Sequence, residues 1–85
     1  FRSPVIPLVF VLPTAHRVHI HMFFVNEALD ILFLDENKKI IGITRALQPG
    51  SLGVWSPKKT KYVVELPISQ RTFSCGDTIL FSDDR

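Results

Sequence analysis

One cysteine, one tyrosine, one tryptophan and one methionine stand in a chain of 85 residues. With Cys75 alone, no disulfide can form within the chain and no paired-cysteine zinc motif exists. That usage suits a reducing compartment, and a cytoplasmic location is the expectation. No apolar run reaches the ~20 residues of a membrane-spanning helix, and no signal peptide is legible at the start of the chain. The chain opens on Phe1 rather than Met, so a targeting segment ahead of Phe1 is compatible with this reading. An excess of one charge is also scarce. Ten Lys and Arg against eight Asp and Glu leave +2, too little to imply a nucleic-acid partner by itself. A Gly-rich phosphate loop, a serine nucleophile elbow, an internal repeat and a long amphipathic helical pattern are all missing.

What the chain does have is apolar residues, 46% of the total. A chain of this length is one domain, and it buries a smaller share of its surface than a larger one would. Without a disulfide, its stability has to come from a compact apolar core. The domain is expected to span residues 1–85, with 1–7 as an extended entry segment holding Pro4 and Pro7, and 82–85 as a frayed tail.

The apolar residues recur with a strand period. Val18, Ile20, Met22 and Phe24 alternate with His19, His21, Phe23 and Val25, and a period of two argues strand. After a break at Asn26–Ala28, Leu29–Leu34 predicts a second strand, with Leu29, Ile31 and Phe33 on one face and Asp30, Leu32 and Leu34 on the other. Asp35-Glu36-Asn37-Lys38 is turn chemistry, and it predicts an antiparallel hairpin between Leu29–Leu34 and Ile40–Thr44. Leu8–Leu12, bounded by Pro7 and Pro13, reads as a strand buried on both faces. Gln48–Thr60 carries Pro49, Gly50, Gly53 and Pro57 and reads as one long irregular loop. Lys61–Leu66 alternates again, Gly76-Asp77 signals a turn, and Thr78–Phe81 reads as a last short strand. Six short strands with turn punctuation predict a mainly β domain, curled into a barrel- or sandwich-like antiparallel sheet with at most one or two short helices. A β-rich α+β arrangement fits the same pattern.

The run HMFFVNEALDILFLDENKKIIGI, then Leu47-Gln48-Pro49, then KYVVELP, then Cys75-Gly76-Asp77-Thr78-Ile79, is similar to domain-of-unknown-function family number 192, a group of small uncharacterised bacterial and archaeal proteins. The shared pattern is a Met, a short spacer, and Leu-Asp-hydrophobic-x-Phe-hydrophobic-Asp. A Tyr-Val-hydrophobic-Glu-hydrophobic strand and a late Gly-Asp turn follow. The resemblance covers about residues 8 to 81 and rests on the order and spacing of motifs that are individually unspecific. Many bacterial members carry an aromatic residue and a polar amide around the Met. This chain has His21 before Met22 and Phe24 after it, which resembles archaeal variants. Members usually begin with a Gly-Leu-Met stretch, of which only Phe1-Arg2 would remain. The resemblance implies a β-rich single domain and implies no activity.

Four residues form the candidate ligand-binding set: His19, His21, Asp30 and Trp55. His19 and His21 lie two apart on one strand face, so their rings project side by side and could chelate a metal. A third ligand would have to come from His16, Glu27, Asp30 or Cys75. The pair is similar to the His-x-His of the cupin fold, but Glu27 sits too far along and the glycine frame is absent. The plain alternative is two histidines on the wetter face of a strand. Asp30 interrupts an apolar strand. A carboxylate there either pins a neighbouring loop or pairs with His19 or His21 in a small acid/base pocket. Lys58-Lys59-Thr60-Lys61 beside Trp55 makes a basic loop with an aromatic, the kind of surface that binds nucleic acid weakly. Against that, Phe10, Phe23, Phe24 and Phe33 each fit core positions, acids elsewhere offset the charge, and a solvated loop beside a Trp that lids the domain explains the same residues. Cys75 reads as a buried, inert thiol, since no cation or His is placed to activate it.

The leading expectation is a non-catalytic binding or interaction module for a small molecule or protein, with no cofactor and no membrane partner, as a monomer or weak dimer. The first alternative is a metal-dependent or acid/base enzyme using His19, His21 and Asp30. The second is weak nucleic-acid binding through Lys58–Lys61. The two main readings separate on whether those side chains converge.

Overall fold

The computed structural model of the protein describes residues 8–21, 27–68 and 72–81. Among the described residues six strands follow in chain order: β1 (Leu8–His16), β2 (His19–Ile20), β3 (Leu29–Leu34), β4 (Ile40–Leu47), β5 (Val54–Trp55) and β6 (Thr60–Pro67). Four of them form one antiparallel sheet in the order β1-β6-β3-β4, and β2 pairs with β5 in a separate two-stranded ribbon. No helix occurs among the described residues, so the mainly β reading holds.

β3 is the centre of the molecule, and all six of its residues are buried. Its alternation sorts them onto two apolar faces, as the sequence period predicts. Leu32 and Leu34 join Ile40, Tyr62, Val64 and Leu66 on one face, covered by Phe73, Ile79 and Phe81. Leu29, Ile31 and Phe33 join Val63 on the other, covered by Val18, Ile20 and Val54. The sheet is therefore the middle of three layers, with the C-terminal segment on one side and the β2–β5 ribbon on the other.

The β3–β4 hairpin forms where the turn chemistry places it. The Asp35 N–H donates to the Lys39 carbonyl at 2.9 Å, and the Lys38 N–H donates to the Asp35 carbonyl at 3.0 Å. Asp35 Oδ1 accepts the N–H groups of Asn37 and Lys39 at 2.8 and 3.0 Å. Lys38 sits at φ 62, so the turn closes on a left-handed residue, a position where Gly is the usual occupant. Its side chain offsets the strain, with Nζ donating to the Phe81 carbonyl at 2.7 Å and lying 4.4 Å from the Phe81 ring centre.

Four expectations are corrected. β1 is not buried on both faces. Among the described residues it is an edge strand paired only with β6, and Val9, Phe10 and Val11 are 41%, 41% and 42% exposed. Phe10 is accordingly no core residue. Residues 48–60 are not wholly irregular, because β5 lies inside them. Thr78–Phe81 forms no strand; Thr78 makes an isolated bridge to Lys39, while Ile79 and Phe81 pack on the core. Cys75 is exposed, because it lies inside the Ser74–Asp77 turn, where the Asp77 N–H donates to the Ser74 carbonyl and Gly76 takes φ 99. Of the strand expected over 18–25, His19–Ile20 is formed, and 22–26, with Phe23 and Phe24, lie outside the described residues.

Candidate functional site: an aromatic and cationic platform on the β2–β5 ribbon

Two local features hold the ribbon in place. Gly53 takes φ 106, and a Cβ there would overlap the Ile20 carbonyl oxygen, so the two strands approach this closely only because the residue is glycine. Ser56, fully buried, ties the ribbon to the β1–β2 connection. Its N–H donates to the Val18 carbonyl at 2.8 Å, its Oγ accepts the Val18 N–H at 2.9 Å, and the hydroxyl donates to the Lys58 carbonyl at 3.0 Å. Beyond it, the Pro57 ring lies directly on Gly42 of β4, where any Cβ would come within 2.7 Å of it.

Ile20 and Val54 are cross-strand partners turned toward Phe33 and its neighbours. Strand alternation then turns His19 and Trp55, the other partnered pair, outward. Their ring centres are 5.1 Å apart at 49°. Trp55 is 57% exposed, so it does not lid the domain. The Arg17 guanidinium carbon lies 5.4 Å from the Trp55 ring centre, and Nε donates to the Ser56 carbonyl at 3.0 Å. The indole is thus flanked by an imidazole and carries a cation held by a backbone bond. His16, His21, Lys58 and Lys59 are exposed in the adjoining segments, and His16 Nδ1 donates to the Thr14 carbonyl at 2.9 Å. Lys61 plays a different part from its neighbours. Its Nζ donates to the Leu12 and Pro13 carbonyls at 2.6 and 3.0 Å, capping the irregular stretch of β1.

Asp30 is elsewhere. It is 1% exposed and lies on the Leu32/Leu34 side of the sheet, across β3 from the ribbon. Its Oδ2 meets Arg45 Nη1 at 3.0 Å and its Oδ1 accepts the Ala46 N–H at 2.8 Å. The structure brings His19 and Trp55 together and separates both from Asp30. The site expected where the His19/His21 face meets Asp30 is therefore not assembled. Among the described residues, no group of three or more His, Cys, Asp or Glu is placed to hold a metal ion.

Arg17 and Ser56 were not legible as site residues in the sequence, although Arg17 shares the strand period of His19 and His21. The electrostatics of the platform were also concealed by the small net charge. No Asp or Glu occurs in residues 1–26 or 37–64, while all three histidines, Arg17, Lys58 and Lys59 fall there. The eight acids are confined to other stretches of the chain. The +2 average hides a segregated distribution.

Fold and site together define a small antiparallel β-domain that presents an exposed tryptophan on a two-stranded ribbon. Residues 7–79 match the model of family DUF192, described as Uncharacterized ACR, COG1430. A UPF0127 protein of Pyrococcus furiosus is 41% identical over 70 residues, covering 79% of this chain and 58% of the relative. UPF0127 proteins of Pyrococcus horikoshii and Pyrococcus abyssi are 37% and 40% identical, covering 79% and 82% of this chain and 58% and 60% of theirs. The chain belongs to this uncharacterised DUF192 family, and it spans a little over half the length of these relatives. No solved structure matches it.

Proposed function

We propose that the protein is a binding module without catalytic activity of its own, and that its ligand docks on the Trp55–His19–Arg17 platform. The observation that carries this reading is an indole left 57% exposed while its backbone is fixed by a glycine-dependent ribbon and a fully buried serine. A large aromatic held rigidly in solvent loses little conformational freedom on binding and offers a large contact area. The acid that an acid/base mechanism would recruit is committed to Arg45 and Ala46 on the far face. The test is a ¹H–¹⁵N NMR titration with a panel of small anions, benzoate and indole-3-acetate among them. Shifts clustered on residues 16–21 and 53–59 are the expected result. Shifts scattered over the sheet, or no shifts here together with no Trp55-dependent response to any polyanion, would sink it.

A second, separate surface bears on oligomeric state. Val9, Phe10 and Val11 of β1 are partly exposed, and among the described residues no strand pairs with the outer edge of β1, an arrangement that invites edge-to-edge pairing. We propose a weak dimer of two copies through β1. Val9→Lys should shift the sedimentation-equilibrium mass toward monomer while moving thermal stability by no more than about 0.5 kcal/mol, as for surface substitutions generally. A wild type that stays monomeric at millimolar concentration overturns this.

A further inference from the structure

We infer that the ligand of the ribbon platform is a single-stranded nucleic acid, with a base stacked on Trp55 and the sugar-phosphate backbone running past Arg17 toward Lys58 and Lys59. This rests on the reading of the platform as a binding site and names its ligand class.

Three observations support the assignment. First, the platform pairs an exposed π-face with cations, the combination that binds single strands without sequence preference. The stacked ring supplies base affinity and the cations track phosphates. Trp55 offers the indole, Arg17 lies over it, and His19 extends the aromatic surface at 5.1 Å. Second, the charge pattern suits a polyanion. The segments that build the platform, the β1–β2 connection and the 48–60 segment with β5 in it, contain no carboxylate at all. A strand crossing them meets no repulsive group from these elements, and Lys58 and Lys59 stand exposed beside it. Lys61 is not part of the set, being held by the Leu12 and Pro13 carbonyls. Third, the platform is an outward ribbon face, and Trp55 at 57% exposure is only partly covered. A free nucleotide would be touched on one side only. A strand gathers several such weak contacts into one affinity, which favours the polymer over the monomer.

The experiment is a fluorescence-anisotropy titration of the protein at low salt into end-labelled 12-nucleotide single-stranded oligo-U, the matching oligo-dT, a 12-base-pair duplex and heparin, with UMP as a competitor and the intrinsic Trp55 signal followed in the wild type. The single strands should bind and quench Trp55, with UMP at least about tenfold weaker. Trp55→Ala should weaken strand binding about tenfold or more, the size of one lost base–aromatic stack, and Trp55→Tyr should restore most of it. Lys58→Gln with Lys59→Gln should lower the slope of log K against log salt by about 1 to 2. Circular dichroism and unchanged urea midpoints show that the variants are folded. Binding of heparin and single strands alike, indifferent to Trp55, overturns the base-stacking assignment. A Trp55-dependent response to heparin alone keeps the platform as a binding site and overturns nucleic acid as its ligand. A response to none of these probes overturns the nucleic-acid assignment, and the small-anion titration then decides whether the platform reading falls with it.

Discussion

Gly53→Ala is expected to remove the β2–β5 ribbon. The residue sits at φ 106, a region that side-chain-bearing residues adopt only under strain, and the added methyl would collide with the Ile20 backbone rather than with a flexible side chain. Backbone cannot step aside cheaply. The strands must separate, and the cover that Ile20 and Val54 give to Phe33 goes with them. A loss of about 3 kcal/mol follows from the strain and the exposed apolar surface together, a large part of the stability of so small a domain. The controls lie in the same chain. Gly50 and Gly76 also have positive φ, at 73 and 99, but a Cβ on either meets nothing within 4 Å. Alanine at those sites should cost only about 1 kcal/mol of backbone strain. Urea midpoints for the three variants, with NMR contacts between the His19 and Trp55 rings, check the difference. Gly53→Ala with an unchanged midpoint and intact ring contacts would show that the ribbon does not depend on this close approach.

How far the sequence reveals these features depends on how local the cause is. The β3–β4 hairpin was legible because both of its determinants are short-range. A period of two sorts Leu29 to Leu34, and Asp35 folds its carboxylate back on its own turn. β1 is not legible as an edge strand, because five apolar residues in a row look the same in a central and an edge strand. The signal that separates them was the prolines that bound the run, since proline is confined to edges and irregular positions. β5 is two residues between Gly53 and Pro57, too short for any period. Its partnership with β2 is a long-range contact between His19 and Trp55, created by burial of Ile20 and Val54 on the sheet. The face of Asp30 could be read from alternation. Its partner could not, because Arg45 reaches it through a break in register that no local pattern encodes.

That break makes Asp30→Ala the second large effect. Along β3 and β4, Leu29 pairs with Leu47 and Ile31 with Thr44, so Asp30 stands opposite both Arg45 and Ala46. This is a β-bulge, and Ala46 is driven to φ 52, unusual for alanine. Asp30 holds it there: one carboxylate oxygen accepts the Ala46 N–H and the other meets Arg45, whose guanidinium carbon also lies 5.4 Å from the Phe73 ring centre. Removing the carboxylate leaves a part-buried amide without this acceptor and releases a strained residue, for about 3 kcal/mol in all. Asp30→Asn is expected to cost only about 1 kcal/mol, because the amide oxygen still accepts the Ala46 N–H and the lost ion pair is with an arginine whose side chain is 41% exposed. Ala46→Gly should stabilise the wild type by up to about 1 kcal/mol by relieving the left-handed alanine. It should also recover part of the Asp30→Ala loss, a coupling that a double-mutant cycle measures. Asp30→Asn should leave the NMR resonances of His19 and Trp55 in place, since the sheet stands between them. Equal losses for Asp30→Ala and Asp30→Asn would mean that charge, rather than the bulge hydrogen bond, is what Asp30 contributes. A shift of the Trp55 indole in Asp30→Asn would mean that the two faces communicate, and the acid/base reading of His19 and Asp30 would have to be reopened.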